Sequence, residues 1–146
     1  MKKRKTRLLI SALVLILLLS VLGTLLLKGK SPSPIPLTVK VRCAHVDNAL
    51  ALSLSSRQAN ASLDGEECRI LSVFSAPSEI SEMKGGSLIS YPSKLFSDVT
   101  VTLSVRATPR DGLFYAGEVW LSPAKRVLLS APTFYGYGEI LSVQQT

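Results

Sequence analysis

The chain has 146 residues and a formal net charge of +7 at neutral pH, a length that holds one ordinary domain and little besides. A basic balance of this kind normally points to nucleic acid, but its placement argues against that. Seven of the 17 Lys and Arg residues flank one hydrophobic run, while the ten beyond Ser31 are matched there by all ten acidic residues, leaving a neutral remainder.

Residues 1–7 form a basic tail carrying Lys2, Lys3, Arg4, Lys5 and Arg7. Residues 8–27 then run without a charge, and Ser11, Ser20 and Thr24 are the only strongly hydrogen-bonding side chains among them. At about 1.5 Å per residue such a run spans about 30 Å, the hydrocarbon thickness of a bilayer. A helix is the one conformation in which a lone segment satisfies its backbone in lipid. The run is longer than the apolar part of a cleaved secretory signal, and no Ala-x-Ala-like site follows it. The sequence therefore predicts an uncleaved transmembrane helix with the lipid bilayer as its partner. Five basic residues before it and two after it, Lys28 and Lys30, predict a cytoplasmic N-terminus and an extracytoplasmic C-terminal domain.

Residues 28–36 contain Pro32, Pro34 and Pro36 and read as a short, stiff spacer. From residue 37 the apolar residues alternate with polar ones, the pattern of strands with one buried face. Strands are expected at residues 37–44, 49–54, 68–75, 99–105, 113–121, 125–131 and 138–143, with a short helical turn at 77–83. Asp64-Gly65, Gly85-Gly86, Pro109-Arg110-Asp111-Gly112 and Ser122-Pro123 punctuate them. The expected class is mainly β: one N-terminal transmembrane α-helix followed by a small β barrel or sandwich over residues 37–146. Gly65 to Val73 and Gly138 to Val143 share Gly-Glu followed by Ile-Leu-Ser-Val, as two related half-domains would, or as common residues would by chance.

The residues offer little chemistry. Cys43, His45 and Asp47 share one parity on an extended strand, but neighbours two apart project in parallel and make a poor nucleophile and base. Val39 and Val41 have the same parity, which makes Cys43 the next core position. The single His and two Cys fall short of the usual four-ligand metal sets, and no Ser stands in Gly-x-Ser-x-Gly. The chain is accordingly expected to be non-enzymatic and without a cofactor. Cys43 and Cys68 are expected either as a disulfide or as two buried free thiols. Phe134, Tyr135 and Tyr137, interrupted by Gly136 and Gly138, form either a contact surface or a cover for the end of the core.

The basic N-terminus, the apolar run, Leu37-Thr38-Val39-Lys40-Val41-Arg42, Ile70-Leu71-Ser72-Val73, the strand from Asp98 to Leu103 and the closing segment from Pro132 to Val143 together resemble the bacterial domain-of-unknown-function 4330 family. The resemblance implies a single-pass membrane protein of the bacterial cell envelope with an extracytoplasmic β domain, and no assigned activity. The function expected is that of an interaction or scaffold protein contacting another envelope protein. A tethered domain that handles lipid or polysaccharide in envelope biogenesis is the alternative, favoured by an apolar groove near Phe134 to Tyr137.

Overall fold

The computed structural model describes Ile16 and residues 18–20, 32–55 and 60–146. Ile16 and residues 18–20 are helical, and the rest of the span expected at 8–27 lies outside the described residues, as does the basic tail. Among the described residues no helix is long and apolar enough to cross a membrane. The remaining account concerns the unit Ser33–Thr146, which is mainly β, as expected.

Its elements are β1 (Ile35–Asp47), α1 (Asn48–Ser55), β2 (Asn60–Leu63), β3 (Glu66–Lys84), β4 (Ser87–Arg110), β5 (Leu113–Ala116), β6 (Val119–Leu121), β7 (Arg126–Ala131) and β8 (Phe134–Gln145). Every strand pairing is antiparallel. Strand neighbours run β1-β8-β7-β2-β3-β4, and β4 returns to β1, so six strands close into a ring without a free edge. Alternation explains its filling: Val39, Val41, Val101, Leu103, Leu63, Leu129 and Ile140 are wholly buried, while Lys40, Arg42, Thr100 and Thr102 between them stay at the outer face. Each fully buried aliphatic side chain contributes about 1.5–3 kcal/mol.

Three expectations need correction. The single strand expected at residues 113–121 is a hairpin, in which β5 and β6 pair across a turn at Gly117 and Glu118, with Gly117 at φ 56°. Residues 49–54, expected as a strand from the alternation of Leu50, Leu52 and Leu54, form the helix α1. Asp47 Oδ1 accepts the Ala49 N–H at 2.8 Å, capping the first turn. Ala51 and Leu54, three apart, enter the core together, which a helix permits and a strand does not. Residues 77–83, expected as a helical turn, are strand throughout. The proline spacer is also shorter than expected, because Ile35 and Pro36 already belong to β1.

The ring has an internal two-fold order. In β3, Ile70 pairs with Leu103, Ser72 with Thr102 and Val73 with Val101, leaving Leu71 as a bulge. In β8, Ile140 pairs with Val41, Ser142 with Lys40 and Val143 with Val39, leaving Leu141 as a bulge. The two bulged leucines are exposed to 43% and 45%, and both isoleucines are buried. A pseudo-two-fold axis therefore runs through the Lys40–Thr102 pair on one side and the Leu63–Leu129 pair on the other. It exchanges β1 with β4, β2 with β7 and β3 with β8. The Ile-Leu-Ser-Val similarity in the sequence falls on equivalent strands with equivalent bulges, as a duplicated half-barrel requires.

Candidate functional site

The duplication shows what is additional. A hairpin loop needs about 2–5 residues, yet β3 and β4, which join the two halves, run on past the ring. Glu79 pairs with Pro92, Ile80 with Tyr91, Ser81 with Ser90, Glu82 with Ile89, Met83 with Leu88 and Lys84 with Ser87. Gly85 and Gly86, with φ of 61° and 83°, make the tip, a two-residue turn with both central residues at positive φ. Residues 78–93 thus form a two-stranded arm whose strands, among the described residues, pair only with each other. Its apolar side chains are in solvent: Met83 is 71% and Leu88 67% exposed, and Ile89 and Tyr91 are exposed as well. An isolated hairpin is at best marginally stable in water, and clustered exposed apolar residues mark contact surfaces.

The arm is fixed at its root. Four residues of β4, 93–96, stand opposite Ser78 alone, and Ser93 Oγ accepts the N–H groups of Leu95 at 3.1 Å and Phe96 at 3.0 Å. Leu95 and Phe96 are thereby displayed outward. Beside them, Asp98 collects three donors: the Arg42 guanidinium, the buried Ser78 hydroxyl at 2.6 Å and the His45 N–H at 3.1 Å. Burial alone raises the Asp98 carboxyl, but the hydrogen bonds from Arg42, Ser78 and His45 outweigh it and hold the group at about 2. Ser97 Oγ donates to Asn48 Oδ1 at 2.7 Å, and Asn48 Nδ2 donates to the Lys94 carbonyl at 2.9 Å. The barrel thus holds the arm's first residue, Ser78, through Asp98, and α1 holds the stretch from Lys94 to Ser97 that leads from the arm into the barrel.

The residues singled out from the sequence are scattered by the fold. Cys43 is buried against β8: a Cβ added to Gly138 would lie 2.8 Å from its sulfur. Ala44 and His45 form a bulge opposite Asp98, and His45, at φ 55°, is turned out to solvent. The shared parity of Cys43, His45 and Asp47 is thereby broken. Among the described residues no cluster of three metal-ligating side chains exists. Cys43 and Cys68 are both free and buried. They lie opposite Val99 and Val105 on the two sides of β4, roughly 20 Å apart at about 3.3 Å per residue, against a Cα limit near 7 Å for a disulfide. Of their two expected states, the structure has the free thiols, and burial pushes each up to about 11.

The aromatic cluster divides. Phe134 is 6% exposed and belongs to the core, correcting its place in an expected contact surface, while Tyr135 and Tyr137 are exposed. Tyr137 lies under the Arg126 guanidinium, 4.6 Å from the ring centre. It lines a cleft of about 440 Å³ with Arg42, Arg126 and Glu139. The pseudo-axis relates this cleft to another of about 600 Å³ lined by Asn60, Glu67, Arg69, Ser104 and Arg106. Both are open and of mixed polarity, and a smaller cleft of about 230 Å³ lies at Leu50, Phe134, Tyr135 and Tyr137.

The arm itself was not foreseen as a site. Its signal was the uncharged stretch Gly85 to Ser93, in which Leu88, Ile89 and Tyr91 stand around Ser90. A closed antiparallel barrel with a projecting ribbon defines the structural class. Comparison with protein-family models, curated proteins and solved structures finds no match to this chain.

Proposed function

We propose that the chain is a non-enzymatic contact protein of the bacterial cell envelope, tethered by residues 8–27, with its N-terminus cytoplasmic and its barrel outside the membrane. The observation that carries this reading is the arm: the barrel closes without it, yet it presents Met83, Leu88, Ile89 and Tyr91 to solvent. The uncharged run and its unequal basic flanks support the tether. The resemblance to the domain-of-unknown-function 4330 family, which implies a single-pass anchor and no assigned activity, bears on the tether alone.

The tether is tested by adding protease to intact spheroplasts. Digestion of the barrel while cytoplasmic controls survive is expected; protection of the barrel, or recovery of full-length chain in the soluble fraction, sinks it. The contact role is tested by placing a photo-crosslinking amino acid at Leu88 of the full chain in native membranes. A discrete adduct is expected there and none from the same label at Thr100 on the barrel wall. Equal labelling from both positions counts against the arm.

A further inference from the structure

We infer that the partner of the arm is a second copy of this chain, joined edge to edge through β4 about a two-fold axis at Ser90. The inference rests on the arm being the contact element and names what it contacts.

The hydrogen-bonding direction of each arm residue follows from the tip. In a two-residue turn the flanking pair, here Lys84 and Ser87, exchanges backbone hydrogen bonds, and bonded and non-bonded pairs then alternate along the ribbon. Ser87, Ile89 and Tyr91 point their backbone groups at β3, while Leu88, Ser90 and Pro92 point theirs at the open edge. The short contact between Ser81 Oγ and Ser90 Oγ, 2.7 Å, fits the closer side chains of a non-bonded pair.

That edge matches itself. Gly85 to Ser93 contains no charge, so an antiparallel copy brings no like charges together. Centred on Ser90, the copy sets Ser90 against Ser90, Leu88 against Pro92 and Ile89 against Tyr91, each of the last two twice. Ile89 with Tyr91 is a favoured β-branched and aromatic cross-strand pair. The Leu88 N–H has the Pro92 carbonyl to bond, and Pro92, which lacks an N–H, ends the pairing. Beyond it the Lys94 carbonyl is already taken by Asn48. The other edge, on β3, carries Glu79, Glu82 and Lys84, charges that oppose further strand addition. Such an isologous contact closes as a dimer and does not propagate. Copies held in one membrane would meet at high local concentration.

The test is oxidative crosslinking of full-length chains in native membranes. Ser90→Cys places two sulfurs across the axis, at a Cα separation of about 5.5 Å that a disulfide accepts, while Cys43 and Cys68 stay buried. A disulfide-linked dimer is expected from S90C. None is expected from S87C alone, because Ser87 faces Ser93 of the copy, which lies beyond Pro92 and is buried at the root of the arm. Ile89→Lys in the S90C background should abolish the dimer, with continued protection of Cys43 and Cys68 from alkylation showing an intact barrel. Absence of the S90C dimer, equal crosslinking by S87C alone, or a dimer indifferent to I89K overturns the inference. If S90C stays monomeric while a label at Leu88 captures a different protein, the self-pairing fails and the contact role stands.

Discussion

The barrel and the arm are made from the same two strands, yet their surroundings are opposite. Along β4, Val99, Val101, Leu103 and Val105 face a sealed interior, and each strand of the ring has a neighbour on both sides. A few residues earlier the same strand has one neighbour and sends Leu88 and Tyr91 into water. The composition barely changes between them; ring closure does. A strand's apolar residues report burial only where the sheet has a second layer or closes on itself, and elsewhere they report a surface awaiting a partner.

Substitutions in the two regions should therefore separate stability from association. The largest loss is expected at the pseudo-axis, where Leu129→Ala empties a wholly buried site and should cost about 2–5 kcal/mol in denaturant unfolding. Next is Asp98→Asn at the junction, about 1.5–3 kcal/mol through weakened charge-assisted bonds to Arg42 and Ser78. Because Asp98 is held at about 2 against an ordinary 3.8, its contribution is complete above the ordinary value and is lost as pH falls towards 2. Unfolding midpoints of the parent should drop across that interval, and those of D98N should drop less.

Gly138→Ala follows, because its Cβ would come within 2.5 Å of Val41 Cγ1 and 2.8 Å of Cys43 Sγ; overpacking of this kind costs about 1–3 kcal/mol. The double variant with Cys43→Ala should recover part of that loss. The smallest stability effect belongs to the arm: Leu88→Ser should move unfolding by no more than about 0.5 kcal/mol while lowering crosslinking in membranes. A stability loss at Leu88 as large as that at Leu129 would mean that the arm is folded back on the barrel.

The ring strands were legible because period-two alternation survives in β1, β4, β7 and β8, where one face is core and the other water. Alternation also misled at α1, where Leu50, Leu52 and Leu54 imitate a strand; the Asp47 cap and the absence of β-branched residues were the better guide. The expected helical turn at 77–83 failed because Glu79, Glu82 and Lys84 in the arm have no core to set their period. The aromatic segment was legible as cover at Phe134 and not at Tyr135 or Tyr137. Phe134 lies against Gly136, where an added Cβ would stand 2.8 Å from the ring, a contact that spacing alone does not reveal. His45 and Asp47 are exposed, as expected of positions where the strand meets solvent, but a bulge at Ala44 and His45, and not the end of the strand, turns His45 outward.

The duplicated halves have one more consequence. The end of β8 lies beside the start of β1, with Leu37 opposite Gln145 and the hydroxyls of Thr38 and Thr146 3.2 Å apart. Chain opened at Gly85-Gly86 and spliced from Thr146 to Ser33 would present the halves in reverse order without moving a barrel strand. Such a circular permutant would carry the two arm strands as free tails, leaving a barrel that folds with its projecting device dismantled.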